Sequence, residues 1–185
     1  MSAQLWLNVH AGHVDRPIMY HIDQGGTMTG SRELYLIRHA KSSWADPSLD
    51  DFDRPLNKRG RKNGPVMAER LAARNIRPDC VVSSPARRAK KTAIFMAKGT
   101  GYKKKNIRYD EELYLGSLSY HLTVLKEVFT TAKTVFLVGH NYTITELAEY
   151  LTGDYLGNVP TCGIVGIKYP QEIGFTPEAG RGLLL

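Results

Sequence analysis

Arg38 and His39 close an apolar run, Leu34-Tyr35-Leu36-Ile37, and His140-Asn141 close another, Val135-Phe136-Leu137-Val138-Gly139. A further arginine, Arg88, follows a third apolar run, Cys80-Val81-Val82, across the short stretch Ser83-Ser84-Pro85-Ala86-Arg87. Guanidinium groups present forked donors that match phosphate oxygens. Imidazoles change protonation near neutrality and serve as nucleophile, acid or donor. Any one polar pair after an apolar run says little, because strands must end somewhere. Three such ends, carrying two arginines and two histidines between them, describe an anion pocket with its own nucleophile.

The elements that must deliver these residues follow from the pattern around them. Residues 33–37 have the length of a buried strand, and residues 58–74 place Met67, Ala68, Leu71 and Ala72 at helical spacing, with Pro65 expected near that helix's first turn. Cys80–Val82 reads as a second strand. Ser84 as N-cap and Pro85 at the first helical position open a helix from Ala86 to about Lys98, which Gly99 and Gly101 end. A helix over 120–129, a strand over 134–138, a helix opened by a Thr143/Glu146 capping box and a last strand over 162–169 complete the series. Alternation of this kind implies an α/β domain: a mostly parallel central sheet flanked by helices in three layers. Ligands of such sheets bind beyond the carboxyl ends of the strands, where Arg38, His39, Arg88, His140 and Asn141 all fall. The helix N-terminus near Arg88 adds free N–H groups and a positive dipole end.

The pocket's contents restrict its chemistry. No carboxylate pair accompanies the histidines as a metal clamp, and no G-x-x-x-x-G-K-[ST] loop is present for nucleotide phosphates. No metal or other cofactor is therefore expected. A phosphoryl site without metal must neutralise charge with arginine and attack with its own nucleophile, which a neutral imidazole does by forming a phosphohistidine.

Composition sets the outer bounds. The chain has 185 residues, 42% hydrophobic and 23% charged, which suits one globular domain with a real core. A net charge of +7 favours anionic partners. Cys80 and Cys162 belong to no C-x-x-C pattern and suit a reducing, cytoplasmic setting. No apolar run approaches the ~18 residues of a membrane span. The basic runs 87–91 and 103–105 lack interleaved aromatics, so they read as solvated faces and not as a nucleic-acid surface. Residues 1–31 show no periodicity and end in Gly25-Gly26 and Gly30-Ser31. They read as a flexible leader ahead of a domain over 32–185, and His10, His13 and His21 within them lack further ligands of metal-site spacing.

Four motifs in order, "LYLIRHAKSSW", "RPLNKRG", "SSPARRAKKTA" and "VFLVGHN", resemble the successive motifs of the histidine phosphatase superfamily. Arg38-His39-Ala40 stands where that superfamily usually has R-H-G. The alanine, the adjoining Lys41-Ser42-Ser43-Trp44 and the R-P-L-N-x-R-G block look most like the SixA-type phosphohistidine phosphatase branch, over roughly residues 33–170. The resemblance implies a phosphoglycerate mutase-like fold. It implies His39 as nucleophile, Arg38 and Arg88 as phosphate-binding arginines, and His140 as a donor to a phosphoryl oxygen. Lys41, Ser42 and Asn141 are candidate further phosphate donors, and Asn57 is expected to hold its loop or cap the next helix. The implied substrate is a phosphorylated protein carrying phosphohistidine, with a small phosphate ester as the alternative and a non-catalytic phosphate-binding module as a third reading.

One departure bears on substrate. Mutases and many ester phosphatases of this superfamily carry a general-acid Glu in an L-x-E pattern, whereas here Leu113 is followed by Tyr114 and Leu115. Asp110, Glu111 and Glu112 are nearby candidate acids, though acidic residues ahead of a loop are usually just solvated. An alcohol leaving group needs a proton, for which general acids typically contribute ~10²–10⁴-fold. An imidazole leaving group is readily protonated near neutrality, so the missing acid favours a P–N substrate. Segments 44–56 and 102–119 are the longest candidate lids, and their modest length predicts an open site. His121 is expected at the surface, and Trp44 at the pocket rim or the core edge.

Overall fold

The structure, a computed structural model, describes residues 30–185. The leader proposed over 1–31, with its three histidines, falls outside the described residues except for Gly30 and Ser31. One six-stranded sheet contains β1 (Arg32–Arg38), β2 (Cys80–Ser83), β3 (Arg108–Tyr109), β4 (Thr134–Gly139), β5 (Ile164–Tyr169) and β6 (Leu183–Leu184), in the spatial order β3-β2-β4-β1-β5-β6. The first four strands run parallel, and β5 pairs antiparallel to β1. Four helices flank the sheet: α1 (Lys58–Ala73), α2 (Arg87–Gly99), α3 (Leu118–Val128) and α4 (Thr143–Thr152).

Strand side chains alternate between faces, and this alternation builds two cores. Leu34 and Leu36 of β1 join Val135 and Leu137 of β4 on one face, under Leu125 of α3 and Leu147 and Leu151 of α4. Tyr35 and Ile37 join Phe136 and Val138 on the other, under Leu71 of α1 and Ala93 and Met96 of α2. Central strands buried on both faces are apolar throughout, which is why they read as continuous runs rather than alternating ones.

Helix starts differ from the sequence reading at three places. α1 is capped by Asn57, whose side chain accepts from the Gly60 N–H at 2.9 Å, so Pro65 lies well inside the helix and removes the donor that would face the Arg61 carbonyl. α2 begins at Arg87 after an extended Ala86, two residues later than a Ser84 cap would give, although the Ser84 hydroxyl accepts from the Ala86 N–H at 3.3 Å and also meets His140 Nε2. α4 begins with Tyr142 at its cap, and the His140 carbonyl already accepts from Ile144 N–H at 2.9 Å. Thr143 therefore sits inside the first turn, and the Thr143/Glu146 capping box does not form. His121, expected at the surface, is 1% exposed, since it lies on the face of α3 that packs on the sheet.

Gly60 has a positional reason. A Cβ there would overlap the Lys41 carbonyl oxygen, where the first turn of α1 meets the loop leaving β1. Glycine to alanine inside a helix normally stabilises by about 1 kcal/mol. We expect Gly60→Ala instead to destabilise, by about 1–3 kcal/mol as forced overpacking does. Denaturant unfolding checks the sign.

Candidate active site

The pairing of two strands sets the site. Arg38 lies opposite Gly139 in the β1–β4 register, and the His39 N–H donates to the Gly139 carbonyl at 3.0 Å. The next residue on each strand is a histidine, so His39 and His140 leave the sheet side by side, ring centroids 5.0 Å apart. β2 ends one strand further along, where the Ser84 N–H donates to the Val138 carbonyl at 3.0 Å. From there the chain turns into α2 and places Arg88 in its first turn. His39, His140 and Arg88 are 9%, 7% and 5% exposed.

Arg88 is the hub. Its Nε lies 3.3 Å from His39 Nε2, and its Nη2 lies 3.3 Å from His140 Nδ1. His39 Nδ1 is 2.8 Å from the Ala40 carbonyl, which can only accept, so Nδ1 carries the proton and Nε2 keeps its lone pair. His140 Nε2 lies 2.9 Å from the Ser84 hydroxyl, a group able to donate or accept. Arg88 can only donate, so in this structure a neutral His140 accepts at Nδ1 and gives its Nε2–H to the Ser84 hydroxyl; the other tautomer, accepting from Ser84, would turn an Nδ1–H toward an anion that replaced the Arg88 contact. Thr92 Oγ1 accepts from Ala40 N–H at 3.0 Å and donates to the Arg88 carbonyl at 2.8 Å, locking α2 to the loop that carries His39.

Burial governs the titration of both rings. It pushes His39 down to about 4, the Arg88, Arg38 and Arg54 charges acting in the same sense and the Ala40 carbonyl against them. Burial, then His39 and Arg88, push His140 down to about 3. Both imidazoles are therefore neutral at pH 7, the state in which a ring nitrogen can attack.

The remaining residues named from sequence divide. Arg38 donates from Nη1 to the Val159 carbonyl at 2.6 Å and to Asn158 Oδ1 at 3.3 Å, while its buried Nε is unpaired. Asn141 donates to the same two acceptors, at 2.7 Å to Asn158 and 3.3 Å to Val159, so its amide N–H groups brace that loop. Ser42 accepts from Arg54 Nη2 at 2.7 Å, and Lys41 is exposed. Glu111 and Glu112 are exposed, and Asp110 is held by Arg108, Tyr120 and the Glu112 N–H. Leu115, at the L-x-E position, is 84% exposed.

Sequence reading missed Asp51, Arg54 and Tyr114. Asp51 Oδ2 accepts from Arg88 Nη2 at 2.6 Å and from the Tyr114 hydroxyl at 2.7 Å, Asp51 Oδ1 accepts from Arg54 Nη1 at 2.5 Å, and the Asp51 carbonyl accepts from Arg88 Nη1. Burial opposes the ionised carboxylate, but Tyr114, Arg88 and Arg54 outweigh it and hold Asp51 at about 2. Tyr114 meets His140 edge-on at 5.3 Å and Phe52 at 5.0 Å. Segments 44–56 and 102–119 thus meet beside the histidines, through Asp51, Phe52 and Tyr114. Arg54 also donates to the Ser43 carbonyl and lies over the exposed Trp44 ring. The available signal was Asp51-Phe52-Asp53-Arg54, charges around an aromatic directly before R-P-L-N.

A family model, the histidine phosphatase superfamily (branch 1), matches residues 34–114. The chain is also 30% identical to the crystal structure of a SixA protein from Agrobacterium tumefaciens assigned as a phosphohistidine phosphatase, with a TM-score of 0.70 over 83% of this chain and 95% of that one. This chain belongs to the histidine phosphatase superfamily, in its SixA-type branch. Among SixA structures, one of the protein histidine phosphatase complexed with tungstate shares the fold, with a TM-score of 0.70 at 19% identity over 83% of this chain and 94% of that one. An uncharacterized chloroplastic protein of Arabidopsis thaliana is 34% identical over 131 residues, 66% of this chain and 60% of its own length. The chain thus spans about 60% of the length of that relative.

The buried histidines make a pH prediction. Above about 6.5 both rings are neutral folded or unfolded, so they add no pH dependence. Below that value the unfolded chain binds protons that the folded chain refuses, so stability falls as pH drops from about 6.5 through the folded values of about 4 and about 3. Unfolding free energy measured across this range should decline, and His39→Gln should flatten the decline.

Proposed function

We propose that this SixA-type chain is a metal-independent phosphatase that takes phosphate from phosphohistidine on a protein, through a phosphoenzyme on His39. The observation that carries the reading is the neutral, buried His39 whose Nε2 lone pair faces Arg88 Nε. His39 Nε2 attacks phosphorus and the bond from phosphorus to the substrate imidazole breaks, the leaving ring taking a proton from the medium. Water then attacks the phosphoenzyme, inorganic phosphate leaves, and His39 regains its lone pair. Arg38, Arg88 and His140 are the donors that match charge building on the phosphoryl oxygens.

Among the described residues, no group of three His, Cys, Asp or Glu side chains stands where it could share a metal ion. No described helix is long and apolar enough to cross a membrane. The exposed Leu115 supports a substrate that leaves without an enzymic acid at that position. The Phe52 and Tyr114 rings packed beside His140 favour a second reading, a small-molecule phosphomonoesterase on the same site.

Arg88→Ala should cost ~1.5–3 kcal/mol or more in kcat/KM, the worth of a charge-assisted phosphate contact. Arg87 is exposed and reaches only the Asp53 carbonyl at 3.4 Å, so Arg87→Ala should leave kcat/KM nearly unchanged. A larger loss at Arg87 would contradict the placement of the phosphate.

Substrate choice is tested by comparing a phosphohistidine-bearing protein, aryl phosphates and alkyl phosphates, with EDTA present throughout. We expect phosphohistidine to turn over fastest, rates among oxygen esters to fall steeply with leaving-group pKa, and His39→Ala to abolish all of them. Efficient alkyl phosphate turnover with a flat dependence would select the phosphomonoesterase. Activity lost to EDTA and restored by zinc or manganese would overturn the metal-free mechanism.

A further inference from the structure

Arg88 carries a positive charge in a nearly dry place, and its donors are divided between two edges. The edge formed by Nε and Nη2 faces His39 Nε2 and His140 Nδ1, both at 3.3 Å. The edge formed by Nη1 and Nη2 faces Asp51, through the Asp51 carbonyl oxygen and, at 2.6 Å, Oδ2, with Tyr114 beside it. A planar guanidinium gripped on one edge has its other edge aimed, with little rotational freedom left.

Asp51 is itself fixed from outside. Oδ1 is held by Arg54 Nη1 at 2.5 Å, and Arg54 is anchored to the Ser42 hydroxyl at 2.7 Å and the Ser43 carbonyl at 3.0 Å, three and four residues past the nucleophile. Oδ2 also accepts from the Tyr114 hydroxyl at 2.7 Å, and Tyr114 lies edge-on to His140. One carboxylate therefore ties the loop after β1, the start of α2 and the segment after β3 to a single point.

We propose that Asp51 is a positioning residue: by clamping the outer edge of Arg88 it aims the inner edge at the phosphoryl group transferred to His39. The proposal rests on the phosphatase reading above. Asp51 acts through Arg88, and it transfers no proton. A loose arginine still attracts an anion, but it no longer meets the phosphoryl oxygens in the geometry of the transition state, where small misplacements are costly. Removing Asp51 also removes a negative charge from the neighbourhood of a bound anion. Turnover and anion affinity should therefore part company.

Asp51→Asn is the test, measured on aryl phosphates of varied leaving-group pKa and on a phosphohistidine-bearing protein, with inorganic phosphate as inhibitor. We expect kcat to fall by about tenfold or more, by the same factor for every substrate. Inhibition by phosphate should change less than about threefold or tighten, because the charge lost is repulsive to an anion. In an Arg88→Ala background, Asp51→Asn should change kcat less than about twofold, since the group it positions is gone. A full tenfold loss in that background, or an unchanged kcat in the wild-type background, overturns the proposal. A loss that grows with leaving-group pKa also overturns it and makes Asp51 the proton donor.

A readout without turnover keeps the two claims separate. The Arg88 Nε–H, assigned by its absence from Arg88→Lys, should be a protected NMR signal in the wild-type protein and lose its protection from solvent exchange in Asp51→Asn. Protection retained in Asp51→Asn overturns the positioning role whether or not any substrate is hydrolysed. Wild-type protein that hydrolyses none of the substrates, but loses this protection on substitution, overturns the functional reading and leaves the clamp standing.

Discussion

A guanidinium taken out of water must find partners for its charge and its N–H groups, and Arg88 is that guanidinium here. An unpaired buried charge costs several kcal/mol. The surrounding structure supplies acceptors on both sides of it: His39 and His140 on one edge, Asp51 on the other. Those acceptors come from the ends of β1 and β4 and from the loop before α1. Satisfying one charge therefore fixes the mutual placement of three β-to-α junctions. Thr92 adds a fourth tie, from inside α2 to the backbone beside His39.

The electrostatic balance around that charge suits an anion-binding, nucleophilic site. Arg38, Arg54 and Arg88 converge on it, while Asp51 is the carboxylate that pairs with two of them. Burial above all, with the neighbouring positive charge of Arg88 acting in the same sense, keeps both imidazoles neutral. In the proposed reaction a protonated His39 would be useless as a nucleophile, so the same positive field that would draw phosphate also keeps the His39 Nε2 lone pair free. The tautomer is set locally, by the Ala40 carbonyl on Nδ1.

Much of the fold was legible from hydrophobic runs. Strands buried on both faces must be apolar at every position, so β1, β2 and β4 stood out, and Gly and polar residues marked where they stopped. Helix starts were less legible. Ser84 has the residue type of an N-cap and accepts from the Ala86 N–H, yet α2 starts only at Arg87, and the same hydroxyl also meets His140 Nε2, a partner contributed by another strand. Thr143 and Glu146 have the spacing of a capping box, but α4 had already begun one residue earlier. His121 looked polar enough for the surface, and helix packing buried it.

For the site, the sequence by itself determined the residues that stand at strand ends: Arg38, His39, His140 and, one turn into a helix, Arg88. Their positions are readable because a strand end and a helix start are local features, and the sheet carries every parallel strand end to the same edge. Only the tertiary structure decided the roles of Asp51, Arg54 and Tyr114. These residues lie in loops without periodicity, and their contacts span 37 residues from Asp51 to Arg88 and 63 from Asp51 to Tyr114. The β1–β4 register was likewise beyond local pattern, and it is the pairing of Arg38 with Gly139 that sets the two histidines side by side. Local sequence specifies which groups a segment offers, whereas long-range packing specifies which of those groups meet.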